Sequence, residues 1–179
     1  LSRKVSQGVD VKLMYEGTCA INGLPRGYEE KLKAAGIDVR VFLPAVPFFS
    51  TYQNSRDHRK ILVIDGKMAY NGGINLADEY ANRRHPYGHW KDTAVKVEGD
   101  AVRSYTVMFF NLWYSIGPES GKNFIPGDYL KYLPEDNAET RKELSSQKEG
   151  WDIPESGYVM PYGDGPNSRH ALAENVYLD

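Results

Sequence analysis

The sequence contains one cysteine, Cys19, among its 179 residues. A single thiol cannot form an internal disulfide or supply the paired cysteines of a zinc site, so disulfide-stapled and zinc-finger domains are excluded and a reducing compartment fits. No apolar run approaches the roughly 18 residues of a membrane-spanning helix, and no signal peptide opens the sequence. The residues as they stand are therefore expected to be soluble.

The sequence also has almost no net charge, because 22 Lys and Arg residues oppose 24 Asp and Glu residues and leave a net charge of −2. Proteins bind nucleic acid largely through a positive field, so nucleic acid is not expected as a partner. What the sequence does have is a globular composition, 41% hydrophobic and 12% aromatic. Its length allows one sizeable core and is too short for two full ones.

The beginning of the chain has the pattern of a strand, a helix and a second strand. Apolar and polar residues alternate from Val9 to Tyr15 and again from Ile37 to Leu43, which predicts two strands. Between them, RGYEEKLKAAG predicts a short helix that ends at Gly36 in a left-handed conformation. Because a helix connects the strands, they are predicted to pair in parallel.

The next block, DHRKILVIDGKMAYNGGIN at residues 57–75, predicts a β-hairpin. Residues 60–64 are predicted to form a buried strand and residues 68–71 to return antiparallel to it. Asp65-Gly66 between them is a strong hairpin-turn signal.

Three further elements are predicted after the hairpin. The segment INLADEYANR predicts a short helix that begins just after Asn75, and DTAVKVEG predicts another strand. Apolar residues from Val102 to Ile116 recur at helical spacing, which predicts a long helix that faces the core.

The composition changes at Gly117, and we expect three segments: a domain at residues 1–117, a charged linker or surface segment at 118–156, and the start of a second domain half at 157–179. The first residue is Leu1 rather than Met, and the last predicted helix is incomplete. The sequence is therefore expected to be a piece of a longer chain. A missing targeting or membrane segment is uninformative in such a piece.

His58 and Lys60 stand two residues apart at the start of the predicted hairpin. Side chains two apart on an extended strand point to the same face, so an imidazole and an ammonium would meet at one place. A neutral imidazole is a competent nucleophile at phosphorus, and a fixed cation stabilises negative charge that develops on phosphoryl oxygens. The alternative interpretation is a solvated polar edge of the strand.

The complete pattern is His58-x-Lys60-x4-Asp65-x6-Gly72-Gly73-x-Asn75. It resembles the HKD motif of the phospholipase D superfamily, and every motif position is filled. The flanking sequences NSRDHRKILVIDGKMAYNGGINLADEY and GHWKDTAVKVEGDAVRSYTVMFFNLW are similar to the first half of bacterial cardiolipin synthases. The resemblance covers roughly residues 5–116 and extends to 157–179. It implies an α/β fold of the phospholipase D-like type, with a mixed β-sheet flanked by helices.

The resemblance also implies roles for the motif residues. His58 would form a phosphohistidine intermediate, while Lys60 and Asn75 hold the non-bridging phosphate oxygens. Gly72 and Gly73 would bring backbone N–H groups close to the phosphate.

Two carboxylates are candidates for supporting His58. Asp92, or as second choice Glu79, would hydrogen-bond the far nitrogen of His58 and fix its tautomer. Asp65 is the third motif residue and is catalytic by resemblance. No metal and no cofactor are implied.

Several of these residues have a second interpretation that the sequence leaves open. Asp65 occupies a turn position where Asp is favoured for purely local hydrogen bonding. Gly72-Gly73 is also compatible with a plain turn, and Asn75 with a helix N-cap. His85 and His89 are expected to be surface residues rather than catalytic ones.

Three further residues are candidates for contacting the lipid partner or for lining the pocket. Arg83 and Arg84 are candidates for facing anionic lipid headgroups, although a solvated loop is the simpler interpretation. Trp90 is predicted to form a wall of the pocket.

The family's active site uses two HKD motifs, and this sequence carries one. The second is expected either in a missing half or in the mate of a homodimer. The predicted function is phosphatidyl transfer between two phosphatidylglycerol molecules, which makes cardiolipin and releases glycerol. The expected partners are phosphatidylglycerol or another anionic phospholipid and the membrane surface. The expected location of the parent protein is the cell membrane, with the catalytic domain facing the cytoplasm.

Three other functions fit the same residues. One is a phospholipase D-type phosphodiesterase or nuclease that acts as a homodimer. Another is phosphatidylserine synthesis on the same scaffold. The third is a catalytically inactive half that binds anionic lipid.

Overall fold

A computed structural model describes residues 1–18, 23–43, 56–117, 159–163 and 175–176. The chain divides into two compact units. The described part of the first unit is 1–18, 23–43, 56–58 and 112–117, and that of the second is 59–111, 159–163 and 175–176. The predicted linker at 118–156 and nearly all of the predicted second half at 157–179 lie outside the described residues.

The first unit confirms the predicted strand–helix–strand pattern. It contains helix α1 (Ser2–Val5), strand β1 (Lys12–Glu16), helix α2 (Tyr28–Ala34) and strand β2 (Asp38–Phe42). Strands β1 and β2 pair in parallel, with Lys12 opposite Asp38. Gly36 has a φ of +79°, the left-handed conformation predicted for the residue that ends the helix.

The core of the first unit is formed by apolar residues of and next to β2, together with one large aromatic. Ile37, Val39 and Phe42 are buried, and Trp113 is 1% exposed. The guanidinium of Arg40 lies 4.5 Å from the centre of the Trp113 ring and donates a hydrogen bond to the Trp113 carbonyl. This contact combines cation–π attraction with a charge-assisted hydrogen bond.

The second unit contains a three-stranded antiparallel sheet in the order β3 (Ile61–Ile64), β4 (Met68–Gly72), β5 (Ala94–Glu98). The predicted hairpin is confirmed, with Ile64 opposite Met68. Asp65 and Gly66 have φ values of +52° and +65°, the left-handed pair that a type I′ turn requires. Aspartate tolerates this conformation better than most residues, and glycine adopts it without strain.

One face of the sheet packs against helix α3 (Ala101–Ser115), as the helical spacing predicted. Ala69 and Val102 are fully buried at the centre of this contact, with Tyr105 beside them. Partly buried residues surround the centre: Ile61, Val63, Val97 and Met108.

The opposite face of β3 is not covered, which corrects the prediction of a wholly buried strand. Leu62 is 51% exposed and Ile64 is 42% exposed, so the strand alternates between a buried and an open side.

On β5, the Lys96 ammonium donates a hydrogen bond to the Glu98 carboxylate at 2.6 Å, and this hydrogen bond raises the pKa of Lys96.

The helix predicted to begin after Asn75 does not form. Residues 76–83 are turns and bends, in which the Asn82 N–H donates to the carbonyl of Glu79 and the Arg83 N–H to that of Asp78. Asn82 has a φ of +53°, which a continuing α-helix does not allow. Its side-chain amide donates to the Trp90 carbonyl at 2.9 Å, so the segment closes on itself.

We expect the contact between sheet and helix to dominate the stability of the second unit. Val102→Ala should lower the free energy of unfolding by about 2 kcal/mol, because a fully buried valine loses two methyl groups and leaves a cavity. The matched control is Val95→Ala, since Val95 lies on β5 but is 51% exposed. Urea denaturation measures both, and equal losses would contradict the assignment of the core.

Candidate active site

Lys60 directly precedes Ile61, the first residue of β3, and His58 lies two residues earlier, so both stand just outside the strand, which was predicted to begin at residue 60. His58 is exposed and Lys60 is half-buried. A nucleophile has to be reached by its substrate, and the exposure of His58 meets that condition. Partial burial restricts a lysine side chain, so its ammonium is better held for stabilising a charge than one that moves freely in water.

Asp65 lies at the other end of β3, in the hairpin turn. It stands five positions after Lys60, which is about 16 Å along an extended strand. A carboxylate at that distance cannot touch a phosphate held by Lys60. Of the two interpretations that the sequence left open for Asp65, the geometry favours the local one, in which it sets the turn and therefore the register of the hairpin.

Gly72 and Gly73 both have close neighbours, which are backbone atoms at Gly72 and the Asp92 side chain at Gly73. Gly72 pairs with Ala94, and a Cβ added to it would lie 2.6 Å from the Thr93 carbonyl oxygen. A Cβ on Gly73 would lie 2.6 Å from Oδ1 of Asp92. The Gly73 N–H, predicted to face a phosphate, donates to the Thr93 carbonyl at 3.3 Å.

The carboxylate of Asp92 is held beside Gly73 by two hydrogen bonds. The Thr93 N–H donates to Oδ1 at 2.7 Å, and the indole N–H of Trp90 donates to Oδ2 at 3.3 Å. Two donors on one carboxylate restrict its orientation. Asp92 is thus an oriented acceptor two residues before β5 begins.

Sequence reasoning missed how Trp90 is itself held in place. Its ring packs on Tyr80 with 4.5 Å between ring centres. Asn82 brackets its backbone, donating to the Trp90 carbonyl at 2.9 Å and accepting the Trp90 N–H at 2.7 Å. The spacing of Trp90 and Asp92, two apart in an extended stretch, is the one local signal that would have indicated their contact.

The remaining predicted site residues lie between β4 and β5. Asn75 is half-buried, and since no helix begins after it, the interpretation as an N-cap is wrong. Glu79 is half-buried, and its carbonyl accepts the Asn82 N–H. Their predicted roles toward a phosphate and toward His58 stay predictions.

Gly163, which is not part of the motif, lies near Arg59 within it. A Cβ on Gly163 would lie 3.4 Å from Sδ of Met108 and 3.8 Å from Cδ of Arg59, the residue between His58 and Lys60. Gly163 therefore lies close to the start of the hairpin. No sequence pattern pointed to this contact.

His85 and His89 are exposed, as predicted, with their rings 6.4 Å apart. Arg83 and Arg84 are exposed too, and the Arg84 guanidinium lies 3.7 Å from the carboxylate of Asp78. Within the described ranges, no three His, Cys, Asp or Glu side chains converge to hold a metal ion. The same ranges contain no helix that is both long and apolar enough to cross a membrane.

A family model and named relatives of this chain both point to the same family. The family described as "Cardiolipin synthase, PLD-like domain" matches residues 1–113. An uncharacterized protein of Streptococcus mutans is 44% identical over the whole chain, which covers 34% of that protein. A cardiolipin synthase of Halalkalibacterium halodurans is 36% identical over 99% of the chain, covering 32% of the synthase. One of Geobacillus kaustophilus is 38% identical over 73% of the chain, covering 25% of the synthase.

The chain thus spans a quarter to a third of the length of these relatives. No solved structure matches it.

The close approach at Gly72 gives a prediction about stability. Gly72→Ala should lower the free energy of unfolding by about 1–3 kcal/mol, because the new methyl group overlaps the Thr93 carbonyl and forces strands β4 and β5 apart. Gly23→Ala is the matched control, since its Cβ would meet nothing within 4 Å. Thermal and urea unfolding of both variants measure the difference. A Gly72 variant as stable as the control would show that the strands do not pack this closely.

Proposed function

Because the chain belongs to the family of cardiolipin synthase PLD-like domains, we propose that it carries half of the active site of a phosphatidyltransferase. The reaction takes two phosphatidylglycerol molecules and yields cardiolipin and glycerol. The observation that carries the proposal is the His58-x-Lys60 pair leading directly into β3. Relatives with 36–38% identity that bear the name cardiolipin synthase support the choice of reaction.

In the first step, a neutral imidazole nitrogen of His58 attacks the phosphorus of phosphatidylglycerol. A P–N bond forms, the P–O bond to the headgroup glycerol breaks, and glycerol leaves after taking a proton from a general acid. In the second step, the free hydroxyl of another phosphatidylglycerol attacks the same phosphorus and gives its proton to the general acid of the first step, now acting as a base. The P–N bond breaks, and cardiolipin is released. Two displacements replace one difficult direct transfer.

The other site residues act on charge and orientation. Lys60 and Asn75 hold the non-bridging oxygens, whose negative charge must be stabilised in the transition state. Asp92 accepts a hydrogen bond from the far nitrogen of His58 and fixes its tautomer, with Glu79 as the alternative. The double hydrogen bonding of Asp92 by Trp90 and Thr93 supports its assignment over Glu79.

The general acid is a second histidine, from a second HKD motif. It comes either from a part of a longer protein beyond these residues or from a second copy of the chain. Support for this is that the sequence carries a single HxKx4D pattern. The site would lie at the cell membrane and face the cytoplasm, where its phospholipid substrate is present.

Hydrolysis is the second candidate, and the exposure of His58 favours it because water can reach the same phosphorus. The two are distinguished by product: transfer gives cardiolipin, whereas hydrolysis gives phosphatidic acid. Transfer requires the second phosphatidylglycerol to exclude water from the phosphohistidine.

The role of His58 is tested by trapping the covalent intermediate. With phosphatidylglycerol labelled at phosphorus, the full-length protein should retain protein-bound label after rapid quenching in base, where phosphohistidine survives. His58→Ala should abolish this label and lower turnover by at least about 10³-fold. His170→Ala is the matched control, because His170 has no lysine two residues further along the chain. This variant should keep both the protein-bound label and the turnover of the wild type. Protein-bound label that persists in the His58 variant would refute the assignment of His58 as the nucleophile.

Lys60 is expected to act through charge alone. Lys60→Ala should lower kcat by about 10²- to 10³-fold, the range seen when one oxyanion donor is removed. Lys31→Ala, an exposed lysine on α2, should turn over like the wild type. A small change in the Lys60 variant would contradict its contact with the phosphate oxygens.

The need for a second histidine predicts how the isolated chain behaves. The 179-residue chain should be nearly inactive as a monomer, because it has a nucleophile and no general acid. Turnover per molecule is measured across a dilution series, with the mass in solution determined at each step. Robust turnover by a verified monomer, unchanged on dilution, would show that one motif is sufficient.

A further inference from the structure

Residues 83–89 form a closed, fully exposed loop, here called the 83–89 loop. Its two ends are joined by Asn82 and Trp90, whose paired hydrogen bonds measure 2.7 Å and 2.9 Å. Every residue between them is exposed. A loop with such a base has a defined shape.

The 83–89 loop combines cations with an exposed aromatic ring. It carries Arg83 and Arg84, has no acidic residue, and is followed by the exposed Lys91. Tyr87 at its tip is 81% exposed. Arginine and tyrosine both have an apolar body and a polar end, which suits them to a boundary between water and an apolar phase.

The segment tied to the base of this loop carries the most exposed apolar side chain of the described residues. Leu76 is 100% exposed and Ile74 is 44% exposed. The ion pair of Asp78 with Arg84 and the stacking of Tyr80 on Trp90 connect this segment to the loop. Single exposed apolar residues are ordinary, but here several stand beside the cations of the loop. The acidic residues of the same stretch lie at its base: Asp78 pairs with Arg84, Asp92 accepts from Trp90 and Thr93, and Glu79 is half-buried.

We propose that the 83–89 loop and Leu76 dock the protein onto an anionic phospholipid bilayer. Leu76 and the Tyr87 ring enter the boundary between headgroups and acyl chains, while Arg83 and Arg84 contact lipid phosphates. A purely anionic partner would account for the exposed arginines but not for the exposed Leu76 and Tyr87. A purely apolar partner would account for Leu76 and Tyr87 but not for the arginines. An anionic bilayer accounts for both.

Docking here has a consequence for the site. Trp90, at the base of the loop, donates to Asp92, and Asp92 lies beside Gly73. A bilayer against the loop would therefore meet the protein next to the residues assigned to the phosphate. This inference rests on the proposed function only in naming lipid as substrate, because docking itself does not need the reaction to occur.

Vesicle flotation tests the docking surface directly. The 179-residue chain is mixed with vesicles of one part phosphatidylglycerol to three parts phosphatidylcholine, or of phosphatidylcholine alone. Arg83→Ala with Arg84→Ala should weaken binding to the anionic vesicles by about 25-fold, since each arginine near such a surface contributes roughly fivefold. Leu76→Ser with Tyr87→Ser should weaken it at least about tenfold.

The controls change the same chemistry at exposed positions outside the loop. Arg26→Ala with Arg103→Ala removes two exposed arginines and should leave binding within about threefold of the wild type, because distant surface charges are screened. Leu1→Ser, at a residue 61% exposed, is the control for Leu76→Ser. Urea unfolding of each variant checks that the fold is kept, and Leu76→Ser alone keeps the test open if Tyr87→Ser unfolds.

The outcomes separate docking from catalysis. His58→Ala should float like the wild type, so lost turnover with full binding leaves docking standing even if the proposed reaction is wrong. Loop variants that bind like the wild type, or controls that lose as much as they do, would overturn the proposal. Binding that falls with the arginines but ignores Leu76 and Tyr87 would also overturn it, since it indicates an anionic partner other than a bilayer.

Discussion

The close approach of residues 92–94 to the Gly72-Gly73 backbone is the constraint on which the candidate site depends. A side chain at Gly72 would overlap the Thr93 carbonyl, and one at Gly73 would overlap the Asp92 carboxylate. At Gly72 the obstacle is backbone, so a glycine there lets strand β5 start this near the end of β4. Asp92 lies in this contact, and its carboxylate accepts hydrogen bonds from the Trp90 indole and the Thr93 N–H.

The rest of the second unit supports that contact. Ala69 and Val102 are fully buried where the sheet meets α3, and the small alanine lets the helix lie close to the middle strand. The type I′ turn at Asp65-Gly66 pins the register of β3 against β4, and β3 begins directly after Lys60. A slip of one residue would turn Ile61 and Val63, which pack toward α3, to the open side of the sheet, so the turn fixes which side of β3 is buried.

Local patterns were sufficient to predict most of the fold. Alternation around β1 and β2 and the left-handed Gly36 indicated a parallel pair, and Asp65-Gly66 indicated the hairpin. The turns at residues 76–83 were not predictable, because they depend on Asn82 bonding Trp90 eight residues away. The open side of β3 was missed for a related reason: a run of four apolar residues has no period, so it cannot reveal that Leu62 faces water.

The candidate site was predicted in part, and for reasons that differ between residues. The spacing of His58 and Lys60 is a property of the chain itself, so the sequence places them together before β3. The glycines were noticed, but the neighbour that requires them lies about 20 residues on, and only the strand pairing reveals it. Trp90 acquires its role from Asn82 and Tyr80, which no spacing rule connects to it.

The central claim is that phosphorus passes through a covalent bond to His58, and its stereochemistry tests this most directly. Phosphatidylglycerol made chiral at phosphorus with sulfur and oxygen isotopes is converted by the full-length protein, and the configuration of the product is read by phosphorus NMR. Two successive in-line displacements each invert the centre, so the account predicts overall retention. Net inversion would mean that the acceptor attacks the substrate directly, and it would contradict the account.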